Sequence, residues 1–286
     1  MLEFTDRRLA RPNTNEPLLA KVNVPRLALM GTETDEANTI ATRRTTAMYG
    51  ERVDVYSRND DYAQVRLKDD HYTGWVKLAH LAEADETLTH RVIAPMTYAF
   101  DKPDVKAPPK TMLFLNSRLA VTSSAQDGSW IECGALGWVP EMHLVPLEHV
   151  GTDPAKVAMG LFGAPYLWGG NDTFGVDCSG LTQSAFKACG LQLPRDSDMQ
   201  FHWCGEHVTD WQNPGALQRN DLVFWKGHVG IMLDSEMLLH ANGYYMSTIK
   251  ESLAQALDRI AETYGPAIGA KRIALDGSDC ADWKKS

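Results

Sequence analysis

A chain of 286 residues, 44% apolar and 23% charged, has the make-up of an ordinary globular protein with room for two or three domains. Its net charge of −9 argues against a nucleic acid or any other polyanion as the main partner. No apolar run approaches the roughly 18–20 residues that cross a bilayer, so no membrane partner is expected. Five cysteines, at 133, 178, 189, 204 and 280, are an odd number without the spacing of a disulfide framework. The opening M-L-E-F-T-D-R-R-L-A has acidic residues where an export signal needs an apolar core. The expected location is the cytoplasm.

Residues 1–16, polar and holding Pro12, read as an arm ahead of the first domain. From 17 to 86 the pattern is one of short strands. Glu51–Tyr56 and Tyr62–Leu67 alternate apolar with polar residues, the period of a half-buried strand, and Gly74–Val76 follows. A similar unit occupies 87–149. Gly74-Trp75-Val76 returns as Gly137-Trp138-Val139, and His80-Leu81 as His143-Leu144, both 63 residues on. Ser117–Thr122 and Ser129–Cys133 supply the preceding strands, and the Pro-rich piece 103–110 reads as a loop.

At Asp153-Pro154 the period becomes helical, with an N-cap followed by proline at the first helical position. This opens a third domain, 150–286. Val157, Ala158, Leu161 and Phe162 share one face of its first helix, which Pro165 ends. Gly169, Gly170 and Gly175 then supply an irregular turn ahead of Asp177-Cys178-Ser179-Gly180. Leu181, Ala185, Phe186 and Ala188 repeat at helical spacing and stop at Gly190, which makes Asp177 the N-cap and puts Cys178 in the first turn. Unpaired N–H groups and the helix dipole there favour a thiolate, the form in which cysteine is a nucleophile. Strands are expected at Asp221–Trp225, His228–Leu233 and Ile268–Ala274, with an amphipathic helix through Leu253, Leu257 and Ile260.

A nucleophilic cysteine needs a base, and the base an orienting partner. His228 opens the strand H-V-G-I-M-L and His240 closes M-L-L-H-A, with the polar turn Asp234-Ser235-Glu236 between them. If the strands pair about residue 234, the two imidazoles lie directly opposite each other on one face. His228 then deprotonates Cys178, and His240 fixes its tautomer and orientation. Asn242, on the same face, is a weaker alternative for the orienting role.

In order, Y-L-W-G-G-(x)5-V-D-C-S-G-L, P-R-D-S-D-M-Q, D-L-V-F-W, H-V-G-I-M-L and L-H-A resemble the NlpC/P60 family of papain-like cysteine peptidases across nearly all of 150–286. The paired G-W-V units resemble bacterial SH3 (SH3b) modules. The fold class implied is α+β: a papain-like catalytic domain preceded by two small SH3-like β-barrels. The resemblance implies Cys178 as nucleophile, His228 as base and His240 as third polar residue. It also places Tyr166, and Trp168 in the same segment, beside the substrate. The substrate bond implied is the γ-D-glutamyl linkage to a diamino acid, lysine or diaminopimelate, in a murein stem peptide.

Two SH3b units and the R-D-S motif are similar to the γ-D-glutamyl-L-diamino acid endopeptidases of the YkfC type. That likeness implies that Asp196, flanked by Arg195 and Ser197, binds the free amine of the substrate's L-Ala. Capping of the helix that follows is the other reading of Asp196. It further implies that Tyr72 and Glu51 of the first SH3b unit close the substrate pocket, though Glu51 also reads as a solvated strand-end charge. Asp177 and Ser179 match the motif around the nucleophile, either as substrate contacts or as cap and first-turn residue. The expected function is hydrolysis of released stem peptides during cell-wall recycling. The alternatives are an exported autolysin with wall-binding SH3b units and a non-catalytic wall-peptide-binding protein. No cofactor is implied, and no metal: His202, Cys204 and His207 do not share a helix face. Cys133 and Cys189 sit in apolar runs and read as buried and inert, and Lys284-Lys285 as a solvated tail.

Overall fold

Alternating residues between Arg52 and Leu67 place Val53, Val55, Ala63, Val65 and Leu67 inside, with Tyr56 also buried where the register shifts, and around this pair the N-terminal part of the chain is built. A computed structural model describes residues 16–31, 43–125 and 128–278, together with Arg8 and Arg11. Most of the expected arm 1–16, Cys280 and Lys284-Lys285 lie outside the described residues. The described chain divides into two compact units on either side of the Val150–Gly151 junction.

The N-terminal unit contains two strand sets. The first runs β1 (Leu18–Val22), β2 (Arg26–Met30), β3 (Arg43–Met48), β4 (Arg52–Arg58), β5 (Tyr62–Leu67), β6 (Thr73–Lys77) and β7 (Leu81–Glu83), in the spatial order β3-β2-β6-β5-β4-β1-β7. The second runs β8 (His90–Val92), β9 (Met96–Phe100), β10 (Pro109–Phe114), β11 (Arg118–Leu119), β12 (Ser123–Ser124), β13 (Trp130–Glu132), β14 (Trp138–Pro140) and β15 (Leu144–Pro146). Its sheets are ordered β10-β9-β14-β13-β12 and β11-β8-β15. Joining β11 to β12 reproduces the order of the first set, so the counterpart of β4 is one strand broken in two. The first G-W-V lies on β6, and in the second Gly137 leads directly into β14. Each is followed by a 3-10 turn ending at His80 or His143 and by a short strand antiparallel to the first strand of its own set. Gly50, with φ +76°, sits where the sets meet, and a Cβ there would fall 2.2 Å from the Arg118 carbonyl oxygen. Arg118 donates to the Tyr49 carbonyl and pairs with Asp69 at 2.7 Å.

The C-terminal unit starts with α1 (Pro154–Met159), capped by Asp153, whose side chain accepts from the Lys156 N–H. The helix is shorter than expected: it stops at Gly160, and Phe162 is half exposed rather than on a buried face. After β16 (Asn171–Asp172) and β17 (Gly175–Val176) come α2 (Cys178–Ala188), α3 (Ser197–Trp203), β18 (Glu206–His207), β19 (Leu222–Trp225), β20 (His228–Met232), β21 (Met237–Asn242), β22 (Ser247–Ser252), α4 (Leu253–Tyr264) and β23 (Gly269–Arg272). The last six strands form an antiparallel sheet in the order β18-β23-β19-β20-β21-β22. Phe224, Val229, Ile231, Leu239 and Ala241 pack with Leu181, Ala185 and Phe186 of α2. Val223, Trp225, Met232 and Leu238 pack with Ala256 and Ile260 of α4. Burial of both faces explains why these strands read as near-continuous apolar runs. Among the described residues, no helix is long and apolar enough to cross a membrane.

Candidate active site

The N-terminus of α2 is built around a buried ion pair. The Asp177 carboxylate accepts the Gly169 and Gly180 N–H groups, each at 2.7 Å, and takes both Arg195 terminal nitrogens at 2.7 and 2.9 Å. Arg195 is fully buried and also donates to the Ser179 hydroxyl and the Gly170 carbonyl. Gly180 lets the first helical turn press against the 170 loop; a Cβ there would lie 2.2 Å from the Gly170 oxygen. The side chains of α2 are buried except at Lys187, and its polar ones are paired: Thr182 with Gln200, Gln183 with the Leu193 carbonyl, Ser184 with the Asn171 carbonyl. The nucleophile candidate therefore stands on a helix fixed on every side.

Cys178 keeps 7% of its surface exposed. The N–H groups of Val229, the residue next to His228, and of Ser179 favour the charged form of its sulfur. His228 Nε2 lies 2.8 Å from His240 Nδ1. The pairing register differs from expectation: Ile231 faces Leu239 and Met232 faces Leu238, which centres the hairpin on residue 235, not 234. The histidines are thus diagonal rather than directly opposite. A displacement of two residues keeps both on one face, which is why they still meet. Beyond His240, Nε2 is 2.8 Å from Glu251 Oε1, and Glu251 forms a salt bridge with Arg259. Asn242 Nδ2 is 3.2 Å from the same Nε2, while its Oδ1 accepts the Tyr245 N–H. The geometry is a hydrogen-bonded array of histidine, histidine and carboxylate, on a sheet whose β20 packs against the helix that carries Cys178.

Residues 163–259 match the sequence profile of the NlpC/P60 family, and residues 35–81 match that of the bacterial dipeptidyl-peptidase Sh3 domain. The chain carries an NlpC/P60 domain. It is 28% identical over 221 residues to a gamma-D-glutamyl-L-lysine dipeptidyl-peptidase of Bacillus subtilis, a match covering 69% of this chain and 72% of that protein. It is 29% identical over 117 residues to dipeptidyl-peptidase 6 of Lysinibacillus sphaericus, covering 38% of this chain and only 42% of that protein. The fold is similar to the crystal structure of an NlpC/P60 family protein from Bacillus cereus, with a TM-score of 0.75, 21% identity, and coverage of 89% of this chain and 99% of that one.

Within the NlpC/P60 domain the expected thiolate is corrected. Burial, reinforced by the neighbouring Asp177 charge, pushes the Cys178 thiol up to about 12, against the opposing pull of the Val229 N–H, Arg195 and the Ser179 N–H. Burial, then the adjacent His240 and Arg259, press His228 down to about 3. Helix-tip stabilisation is outweighed by desolvation, so the resting groups are a neutral thiol and a neutral imidazole.

Tyr166 is half-buried against the core of this domain, and burial followed by the Cys178 and Asp177 charges drives its phenol further up. Trp168 is 53% exposed. Asp196 starts α3 but makes no side-chain cap bond, which removes the support for capping; it is half-buried, and Ser197 beside it is buried. Arg195 is corrected from substrate ligand to a helix clamp, because it is sealed from solvent and committed to Asp177, Ser179 and Gly170. Asp177 is the helix cap, and Ser179 is a buried first-turn residue bonded to both partners of that ion pair. Tyr72 and Glu51 belong to the N-terminal unit and are buried. Glu51 is not a solvated charge: its carboxylate accepts the Met48 N–H and closes the 48–51 turn. His207 meets Phe201 edge to face at 5.5 Å, and Cys204 is buried.

Glu251 and Arg259 are missing from the sequence reading. The strand S-T-I-K-E-S carries little apolar alternation, so it gave no strand signal. Its pairing puts Ile249 opposite His240 and Glu251 one diagonal step away.

Proposed function

We propose that the chain is a cysteine endopeptidase that cleaves the γ-D-glutamyl bond to a diamino acid in murein stem peptides with a free N-terminal L-Ala. The observation that carries this reading is Cys178 in the first turn of α2, packed with Val229 in one core, while the preceding residue His228 is hydrogen-bonded to His240 at 2.8 Å. As the sulfur attacks the γ-carbonyl carbon, its proton passes to the His228 nitrogen not engaged with His240. The Cys178 N–H, at the tip of α2, stabilises the developing oxyanion. Collapse breaks the C–N bond, His228 returns the proton to the leaving amine, and a thioester remains on Cys178. Water, deprotonated by His228, then releases L-Ala-D-Glu. A neutral resting pair suits this sequence, because the ion pair forms only as substrate charge develops beside it.

Asp196 supplies the carboxylate for the substrate ammonium, since a partly buried cation needs an opposite charge. Recognition of that amine would select released peptides over glycan-linked ones, which fits a role in wall-peptide recycling. The described cysteines Cys133 and Cys178 are free thiols, as suits a reducing compartment. Incubation with L-Ala-γ-D-Glu-diamino acid peptide and, separately, with intact sacculi tests the reading. Hydrolysis of the free peptide is expected; turnover of sacculi alone would favour an exported autolysin.

A further inference from the structure

We infer that Glu251, held by Arg259, is a positioning residue that sets the proton on His240 and, through it, turns a lone pair of His228 toward Cys178. The inference rests on the proposed reading of Cys178 and His228 as nucleophile and base. An ionised carboxylate only accepts hydrogen bonds, so it gives the array a direction. Burial opposes ionisation of Glu251, but hydrogen bonds from His240 and Arg259 outweigh it and hold the carboxyl below its usual range. His240 Nε2 must then carry the hydrogen that bridges the 2.8 Å to Glu251 Oε1. With that hydrogen on Nε2, the Nδ1 of the neutral ring is the acceptor, and it takes the Nε2–H of His228 across 2.8 Å. His228 is left with Nδ1 unprotonated, the form a general base needs. In the opposite tautomer His228 would present an N–H to the sulfur and could not accept its proton.

The carboxylate is itself fixed. Arg259 reaches it from α4, and the guanidinium lies 4.7 Å from the Tyr244 ring centroid and 5.2 Å from that of Tyr245, at the turn between β21 and β22. His240 is fully buried, so no bulk water competes for its Nε2, and the Asn242 Nδ2 contact to the same atom, at 3.2 Å, is longer than the 2.8 Å contact to the carboxylate. Glu251 also balances Arg259, whose positive charge otherwise disfavours a proton on His228. Touching neither the sulfur nor the base, Glu251 acts through His240 alone.

The test begins with the unmodified protein. Long-range 1H–15N correlation spectra of 15N-histidine-labelled protein, assigned with single His→Gln variants, should show His240 protonated at Nε2 and His228 unprotonated at Nδ1. A His240 proton on Nδ1 would overturn the inference without any variant or substrate. Glu251→Leu should then lose the fixed His240 tautomer, with kcat down at least about tenfold and KM within about twofold. Glu251→Gln keeps an acceptor oxygen and should restore the tautomer and part of kcat. A folded Glu251→Leu with unchanged kcat or unchanged tautomer refutes the role of Glu251. If Cys178→Ala also keeps full activity, the reading of the site has failed instead.

Discussion

Replacing Arg195 with Met separates a helix clamp from a substrate ligand. The substitution removes a guanidinium whose side chain is 1% exposed from a carboxylate that is 8% exposed, with contacts of 2.7 and 2.9 Å. Removing one partner of a buried pair generally costs about 3–5 kcal/mol, because the remaining charge is left uncompensated. Asp177 would keep two backbone N–H bonds, from Gly169 and Gly180. The lower end, about 3 kcal/mol, is therefore expected. For a unit of this size that corresponds to a fall in Tm of roughly 10 °C. Differential scanning calorimetry of the full chain reads it in the transition of the C-terminal unit. Steady-state kinetics at a temperature where the variant is folded should give KM within about twofold of the parent. A Tm within about 2 °C of the parent, accompanied by a large rise in KM, would mean that Arg195 faces substrate and that the clamp argument is wrong.

Asp196→Ala should raise KM for peptides with a free L-Ala amine far more than for N-acetylated ones, and equal effects on the two would remove its role as ammonium partner. The titration behaviour of the site sets a stability window. His228 stays neutral in the folded protein down to about pH 3 but takes up a proton near 6.5 when unfolded, so the unfolded chain binds more protons in between and stability falls as pH drops through that range. The Cys178 thiol, at about 12 when folded against 9.0 unfolded, has the opposite effect, and stability falls as pH rises from about 9 towards 12. His228→Gln should flatten the acid limb of a plot of Tm against pH between about 3 and 6.5; an unaltered slope there would show that His228 is not held neutral.

Much of the site was legible because its determinants are local. An N-cap followed by a helical period located Cys178, and two strands joined by a polar turn located the histidine pair. The 63-residue repeat exposed two strand sets whose common order the structure then displayed. What escaped depended on the third dimension. The hairpin register was off by two because Leu233 N–H bonds to the Met237 carbonyl and closes a longer turn than the symmetric one. Arg195 looked like a ligand because its charge is visible in sequence, whereas its burial against Asp177, 18 residues earlier, is not. Glu251 gave no signal for the same reason: only the pairing of β22 with β21 brings it to His240. The thiolate was misjudged because helix-tip stabilisation can be read locally, while desolvation depends on everything packed around the sulfur.

The central claim is that the Cys178 sulfur takes the acyl group from the γ-D-glutamyl carbon. Acid quenching during steady-state turnover of an L-Ala-γ-D-Glu-diamino acid tripeptide, followed by proteolysis and mass spectrometry, tests it directly. The account predicts an L-Ala-γ-D-glutamyl thioester on the peptide containing Cys178, absent in Cys178→Ala, with L-Ala-D-Glu and the free diamino acid as products. Product formation that persists in Cys178→Ala, or an acyl group found on any other residue, would contradict it.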